Sequence, residues 1–317
     1  MSWRVIDIAE SGRYLHADRE WLIIKEGGTE LGRVALTDIQ SILVHGLHAT
    51  YSHGLILKLA EHNIPLVVCD RRHEPLSILT PVSGHHLQTG RTRLQADAPL
   101  PVKKRVWRDL IRAKIREQAR TLRPVDKDAS DGLLKLSAKV RSGDPDNVEA
   151  RAARFYWPRL FGESFRRDRE ADGLNAHLNY GYAILRSALA RLVVGAGLSP
   201  NLGVGHVNQR NQFCLVDDLM EPYRPLVDRT VYDNRATWCE DELTLNARAL
   251  LAGLLAGTLQ TEEGESDLLR AMALTVNSLA QTFEGTCDQI QLPGDISFLS
   301  APSLPGLEGV ITRTREI

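Results

Sequence analysis

The segment 205–225 concentrates side chains that bind divalent cations. It contains the imidazole of His206 and the carboxylates of Asp218 and Glu221, together with polar amides and apolar anchors. Asp218 and Glu221 are three residues apart, so on a helix they share one face. Two adjacent carboxylates repel each other unless a cation lies between them. Carboxylates combined with one imidazole nitrogen favour Mg²⁺ or Mn²⁺ over a thiol-preferring metal.

A further acid, Glu149, lies at the predicted start of a helix, directly behind the turn-forming segment 143–146. The small residues Ala150, Ala152 and Ala153 follow it, and they would let a second helix approach closely. Glu149 is therefore a candidate to lie beside Asp218 and Glu221 in the folded protein.

Each of these residues also has a purely structural interpretation. Asp217 and Asp218 could be an N-cap and a first-turn acid, which the helix dipole favours. His206 could be an ordinary turn residue in a glycine-rich loop, and Glu149 could be a capping-box acid. The residue types alone leave these alternatives open.

Three segments, in order, resemble the motifs of one protein family. They are EARAARFYW at 149–157, LNAHLNYGYAIL at 174–185, and GHVN with DLMEPYRPLVD between 205 and 228. They resemble the CRISPR-associated spacer-integration endonuclease, the integrase of CRISPR adaptation. Segments 64–70 and 114–119 look like the variant that accompanies single-protein, RNA-guided effectors (type II systems). Several ordered motifs are more specific than one short match.

The resemblance implies that Glu149, His206 and Glu221 coordinate Mg²⁺ or Mn²⁺ and that Asp218 is a further catalytic acid. It implies insertion of short DNA fragments into a CRISPR repeat array by attack of a 3′-hydroxyl, and cutting where water replaces that hydroxyl. The implied partners are DNA, a second copy in a homodimer formed through the β domain, and a small second adaptation protein that bridges two dimers. A general metal-dependent nuclease and a non-catalytic DNA-binding scaffold are the alternatives.

Positive charge is concentrated locally, although the formal net charge of the chain is only −1. Segment 102–123 carries nine cations and two acids, a local charge of +7. Such concentration is typical of phosphate binding, although a solvated helix face is the alternative. A second group of six arginines lies between 151 and 169. The predicted DNA-binding residues are Lys103, Lys104, Arg105, Arg108 and Arg112.

The fold class predicted from hydrophobic periodicity is α+β. Period-2 patterns predict strands at 3–8, 13–17, 21–25, 32–35, 42–44 and 64–70, with a helix at 52–61 between them. Short connections between the strands predict an antiparallel β-sandwich, which we assign to residues 1–79 as a dimerisation domain.

The remaining chain is predicted to be helical. Residues 80–100, with glycines and prolines among polar residues, are interpreted as a linker. Residues 101–290 form the predicted all-α catalytic domain, and 291–317 a loosely ordered tail. The predicted helices are 102–122, 131–140, 148–160, 174–196, 221–232, 241–255 and 265–282.

The sequence shows no sign of export, membrane insertion or disulfide formation. The N-terminal residues show no secretory signal, and the longest apolar runs are shorter than the ~20 residues that span a bilayer. We therefore expect a cytoplasmic protein with no membrane contact. The four cysteines are far apart and form no CxxC pair, so we expect reduced thiols.

Overall fold

The computed structural model describes residues 4–70, 75–82, 86–206, 208–238, 243–261, 264–294 and 297–298. A β-rich N-terminal part precedes a mostly helical part, which confirms the predicted fold class. The N-terminal elements are β1 (Arg4–Ile8), β2 (Tyr14–Asp18), β3 (Trp21–Glu26), β4 (Thr29–Ala35), β5 (Ile39–Val44), β6 (Thr50–Tyr51), α1 (His53–Glu61), β7 (Leu66–Cys69) and β8 (Pro75–Leu79).

The strands form two four-stranded sheets, and both contain parallel pairs that the prediction lacked. In the order β4-β3-β2-β6, strands β2, β3 and β4 pair antiparallel, as expected for a meander, while β6 pairs in parallel with β2. In the order β1-β5-β7-β8, however, β1, β5 and β7 pair in parallel. The prediction of purely antiparallel sheets was wrong here, because parallel strands need a crossover connection. The connection from β1 to β5 runs through β2, β3 and β4, and the connection from β5 to β7 runs through β6 and α1.

The mixed sheet is buried on both faces. All six residues of β5 are buried, a pattern that is typical of parallel strands covered on both sides. One face packs on the first sheet, while Leu43 and its neighbours pack on the core of the helical part. Ser41 and Ser187 are 3.1 Å apart, within hydrogen-bonding distance, and Arg191 donates to the carbonyl of Ile39. The two parts therefore share a core.

The helical part contains α2 (Gln88–Asp97), α3 (Leu100–Leu122), α4 (Lys127–Ala138), α5 (Val148–Phe161), α6 (Leu174–Gly195), α7 (Cys214–Met220), α8 (Arg224–Trp238), α9 (Leu245–Gly253) and α10 (Leu268–Glu284). It is not all-α, because β9 (Thr258–Thr261), β10 (Gly264–Asp267) and β11 (Ser297–Phe298) form a small antiparallel sheet. Cys69, Cys214 and Cys287 are free thiols, while Cys239 lies outside the described residues.

The predicted linker, 80–100, contains α2. The periodicity argument missed this helix because α2 buries only a glutamine, Gln95. The Gln95 amide donates to the carbonyls of Ser199 and Leu202 and accepts from the amide of Ser199. Polar contacts thus hold α2 in place, and the helix has no apolar stripe that a periodicity argument could detect. Of the predicted tail, 291–294 and 297–298 are described and 299–317 lie outside the described residues.

Asp228 joins three helices of this core. Its carboxylate accepts hydrogen bonds from Tyr182 of α6 and from Tyr156 of α5, the latter at 3.1 Å. Burial raises the pKa of Asp228 to about 6, although these two hydroxyls, Arg224 and Arg167 act in the opposite direction.

This pKa predicts a pH-dependent stability. Between about pH 4 and pH 6 the folded protein binds one proton that the unfolded chain has released, so the stability decreases as pH rises through that window. The contribution is at most about 3 kcal/mol. Asp228→Asn should remove it. In urea unfolding at pH 4 to 7, the stability difference between parent and variant should therefore change with pH, and a constant difference would contradict this assignment.

Candidate functional site

The centre of the candidate site is a buried ammonium group between two carboxylates. Lys114 Nζ, on α3, lies 2.6 Å from Oε1 of Glu149 and 2.5 Å from Oε2 of Glu221. Burial alone would lower the pKa of Lys114, but Glu221 and Glu149 raise it above its ordinary value. Two acids that are 72 residues apart in sequence thus share one cation.

The position of Glu149 follows from the turn before α5. Asn147 adopts the left-handed conformation with φ 48°. The carboxylate of Asp144 accepts hydrogen bonds from the amides of Val148 and Glu149, at 2.9 and 3.0 Å. Asp144 therefore caps the helix, and the interpretation of Glu149 as the capping acid was wrong. The Glu149 side chain is left to face Lys114.

Glu221 lies in a 3-10 turn, Glu221–Tyr223, between α7 and α8. Helix α8 begins directly after this turn, so Pro225 falls in its first turn, where proline is tolerated. Arg224 Nε lies 3.0 Å from Oε1 of Glu221, whose side chain is only 5% exposed. Burial would raise the pKa of Glu221, but Arg224 and Lys114 outweigh burial and lower it to about 2. Glu221 is therefore a permanent carboxylate.

The loop that carries His206 is held by Asp218, which is fully buried. The Asp218 carboxylate accepts hydrogen bonds from the amides of Val204, Gly205 and His206, at 2.6, 2.9 and 3.0 Å. His206 Nδ1 also donates to Asp218, at 2.6 Å, and this bond raises the pKa of His206. The bond leaves Nε2 as the ring nitrogen available to a ligand. Asp218 thus positions His206 and is not a capping acid, since no side-chain cap is present in α7.

Trp107 of α3 packs closely against the same loop. A Cβ atom at Gly205 would lie 2.2 Å from the Trp107 ring, so the loop can approach this closely only with glycine. The rings of Trp107 and His206 make an edge contact, with centroids 5.3 Å apart. Helix α3 therefore supplies both Lys114 and the surface against which the His206 loop rests.

The predicted metal ligands are brought together in part. Glu149 and Glu221 converge on one cation, and His206 is close enough to Glu221 to lower its pKa. In the part of the chain that the structure describes, however, no three His, Cys, Asp or Glu side chains are grouped as a metal site. The two converging carboxylates nevertheless have the chemistry that Mg²⁺ or Mn²⁺ prefers, so these residues fit a divalent cation in place of the ammonium.

The predicted DNA-binding residues all lie on α3, with different contacts. Arg108 pairs with Asp109 at 2.8 Å, Arg112 donates to the carbonyl of Val140, and Lys103 donates to the carbonyl of Ala96. Lys104 is exposed and Arg105 is half-buried.

One face of α3 is a row of arginines. Arg108, Arg112, Arg116 and Arg120 follow each other at intervals of four residues. They line a cavity of about 400 Å³ together with residues near the C-terminal end of the described chain, namely Gln289, Ile290, Leu292, Pro293 and Gly294. The fixed spacing places their charges along one side of the helix.

Sequence reasoning missed the roles of two cations. Lys114 was counted only as one of the nine cations of segment 102–123, but it is buried between the two carboxylates. Arg224 was seen only as part of a motif. A signal for Lys114 was available, because it lies among the buried residues Leu110, Ile111 and Ile115, and a lysine at such a position requires a partner.

The fold and the paired acids define a protein with a β-rich N-terminal part and a helical part that carries the candidate metal site. The family model for "CRISPR associated protein Cas1" matches residues 6–248, so the chain belongs to the Cas1 family. This confirms the resemblance noted in the sequence.

The relatives match along most of the chain. The chain is 35% identical over 298 residues to the "CRISPR-associated endonuclease Cas1" of Neisseria meningitidis serogroup C (strain 8013), covering 92% of this chain and 96% of that protein. It is 30% identical to a Cas1 endonuclease of Pyrobaculum aerophilum, covering 86% and 95%.

Solved structures share the fold at low identity. A "casposase bound to integration product" has a TM-score of 0.75 at 20% identity and covers 92% of this chain and 93% of its own. A Cas1 protein from Thermotoga maritima has a TM-score of 0.73 at 16% identity, covering 92% and 99%. A chain of a "Cas6-RT-Cas1--Cas2 complex" has a TM-score of 0.75 at 20% identity, covering 92% of this chain and 36% of that one.

No helix among the described residues is long and apolar enough to cross a membrane.

Proposed function

We propose that this protein is a metal-dependent DNA endonuclease and integrase that inserts short DNA fragments into a CRISPR repeat array. The observation that carries the proposal is the convergence of Glu149 and Glu221 on one cation position, in a chain whose relatives are named endonucleases. Both acids belong to the motif segments that carry the family resemblance, so the geometry and the sequence point to the same place.

In this proposal Glu149, Glu221 and Nε2 of His206 would hold Mg²⁺ or Mn²⁺. The cation would supply charge stabilisation and orientation for a phosphodiester under attack. The hydrogen bond between His206 Nδ1 and Asp218 leaves Nε2 as the ring nitrogen that would hold the cation. Arg224 keeps one oxygen of Glu221 in an ion pair, which fixes the orientation of that carboxylate.

The joining reaction needs no covalent intermediate with the protein. The 3′-hydroxyl oxygen of the incoming fragment forms a bond to a phosphorus of the repeat DNA, and the bond from that phosphorus to its own 3′ oxygen breaks. The attacking hydroxyl loses its proton and the leaving 3′ oxygen takes one up, so the leaving strand gains a 3′-hydroxyl. Where water takes the place of the fragment, the same site cuts the strand.

The proposed assembly is a homodimer that works with DNA and a small second adaptation protein. One similar fold belongs to a chain of a Cas6-RT-Cas1--Cas2 complex, and another to a casposase bound to integration product, which supports DNA and the small second protein as partners. Because the N-terminal sheet shares its core with α6, dimer formation should be tested on the full chain, by surface substitutions, and not by deleting residues 1–79.

The test is joining of a labelled DNA fragment into a plasmid that contains a repeat, with and without Mn²⁺ and the small partner. We expect joined product only with the metal. Cutting without joining would favour a general nuclease, and metal-independent binding without either reaction would favour a scaffold.

DNA affinity should decrease steeply with salt if α3 contacts phosphates. Replacing Lys103, Lys104 and Arg105 with glutamine should flatten the log–log salt dependence of binding by about 0.9 for each lost phosphate contact. The matched control replaces three exposed lysines in and after α4, namely Lys127, Lys135 and Lys139. Equal slopes in both triple variants, measured by fluorescence anisotropy, would assign the α3 cations to a solvated surface.

A further inference from the structure

The basic cavity on α3 has a lining of two different characters, and we call it the α3 cavity. Its charged lining is the row of four arginines with the acids Asp109 and Glu117, and its apolar lining includes Ile290, Leu292 and Pro293. Its volume of about 400 Å³ lies within the range of about 300–1,000 Å³ that is usual for small-molecule sites. A small ligand with an anionic group and an apolar or aromatic body matches this lining.

The arginines of the α3 cavity point away from the candidate metal site. An α-helix turns by about 100° per residue, so Arg112 and Arg116, each two residues from Lys114, project from the opposite side of α3. Lys114 itself faces Glu149 and Glu221. The helix therefore separates these arginines from the two carboxylates, and a ligand bound to them is not at the reacting linkage.

The outer two arginines of the row are neutralised by acids. Arg108 Nε lies 2.8 Å from Oδ1 of Asp109, and Arg120 forms an ion pair with Glu117. The two ends of the cavity therefore have little net charge.

The middle two arginines keep their positive charge. Among the residues that the structure describes, no ion pair joins Arg112 or Arg116 to a carboxylate; Arg112 Nε donates to the carbonyl of Val140 at 3.1 Å, and Arg116 is exposed. Guanidinium groups bind phosphate oxygens through paired, charge-assisted hydrogen bonds. The two residues are one helical turn apart, about 5.4 Å along α3, which two linked phosphate groups can bridge.

The segment that supplies the apolar lining is fixed to two helices. On α10, Thr275 Oγ1 donates to the carbonyl of Gln291 at 2.7 Å, and the amide of Gln291 donates to Oγ of Ser278 at 2.8 Å. On α3, Arg120 donates to the carbonyl of Gly294 at 3.1 Å. The cavity is therefore largely preformed, which reduces the entropy cost of binding a ligand.

We propose that the α3 cavity binds a free nucleoside diphosphate, with its phosphates on Arg112 and Arg116 and its base or sugar against Leu292 and Pro293. The apolar lining and the position away from the metal site favour a separate small ligand over a phosphate of the DNA strand. The proposal gives Arg112 a ligand other than the DNA expected from the sequence. It does not depend on the proposed integrase function.

The test is calorimetric titration of the full-length protein with ADP, pyrophosphate and adenosine, without divalent metal so that the candidate metal site does not hold a phosphate. We expect one saturable ADP site for each protomer, weaker binding of pyrophosphate and no binding of adenosine. Arg112→Gln/Arg116→Gln should weaken ADP binding by at least about 10-fold, as expected for losing hydrogen bonds to a charged group.

Three further variants keep the test decisive. Arg123→Gln/Arg235→Gln removes the same charge from two exposed arginines outside the cavity, and it should bind ADP like the parent. Leu292→Ala should weaken ADP binding by about threefold or more and leave pyrophosphate binding unchanged, because it removes only apolar contacts. Arg116→Gln alone changes an exposed residue and should weaken ADP binding even if Arg112→Gln folds poorly.

Equal ADP affinity of the two double variants would overturn the assignment, and so would a parent protein without saturable ADP binding. Displacement of bound ADP by short single-stranded DNA would assign the cavity to the strand and overturn the choice of a free nucleotide. If the parent binds ADP through the two arginines but joins no DNA, the cavity assignment stands and the integrase function fails.

Discussion

Replacing Glu149 or Glu221 with glutamine is expected to reduce the rates of cutting and joining by more than about 100-fold. Losing a group that only supports a metal ligand already lowers metal affinity or activity by about 10–100-fold, so losing a ligand itself should have a larger effect. Each substitution keeps the size of the side chain but removes one of the two charges that converge on the cation position. DNA affinity should change little, since it depends on many cations elsewhere on the protein.

The comparison variants separate ligand loss from general damage. Glu163→Gln removes an exposed acid outside the site and should leave the rate unchanged. His206→Ala should behave like the two glutamate variants, and Asp218→Asn should reduce the rate by about 10–100-fold through misplacement of His206. Circular dichroism checks folding. Folded Glu149→Gln and Glu221→Gln proteins that join DNA at the parent rate would mean that the active site lies elsewhere.

Lys114→Met is expected to destabilise the metal-free protein by about 3 kcal/mol, because removing one partner of a buried ion pair leaves uncompensated charge. The two carboxylates that share the ammonium would then face each other with only Arg224 to compensate Glu221. Mn²⁺ should raise the Tm of the variant more than that of the parent, since the cation has no ammonium to displace and binding to the folded state is stabilising.

The control for this prediction is Lys104→Met, which removes an exposed lysine from the same helix. Urea unfolding without metal, followed by thermal unfolding with Mn²⁺, measures both parts. Equal stability of the two variants would contradict the stabilising role of the buried ion pair. An equal shift by Mn²⁺ in Lys114→Met and the parent would show that Lys114 and the metal do not occupy the same place.

The elements that carry the site could be predicted from the sequence because each has a strong local signal. Helices α3, α5 and α6 have apolar residues at helical spacing, and their predicted bounds lie within two residues of the observed ones. Glu149 and Glu221 were selected because their segments match ordered motifs. Their convergence depends on helix packing, which the spacing of residues in sequence does not contain.

Other features had weak or misleading local signals. Helix α2 has one buried side chain, Gln95, so its burial is polar and no periodicity reveals it. The parallel pairing of β1, β5 and β7 depends on how the connections between these strands cross the sheet, which period-2 patterns do not specify. Lys114 has the same residue type as a phosphate contact, and only the fold shows that it faces two carboxylates.

The most direct test of the account is a Mn²⁺ titration of the full-length protein, followed by electron paramagnetic resonance, with the parent and a Glu149→Gln/Glu221→Gln double variant. We predict one tightly bound Mn²⁺ for each parent protomer and the loss of that ion in the folded double variant. Retention of the same tight Mn²⁺ by the double variant would contradict the claim that these two carboxylates form the metal site.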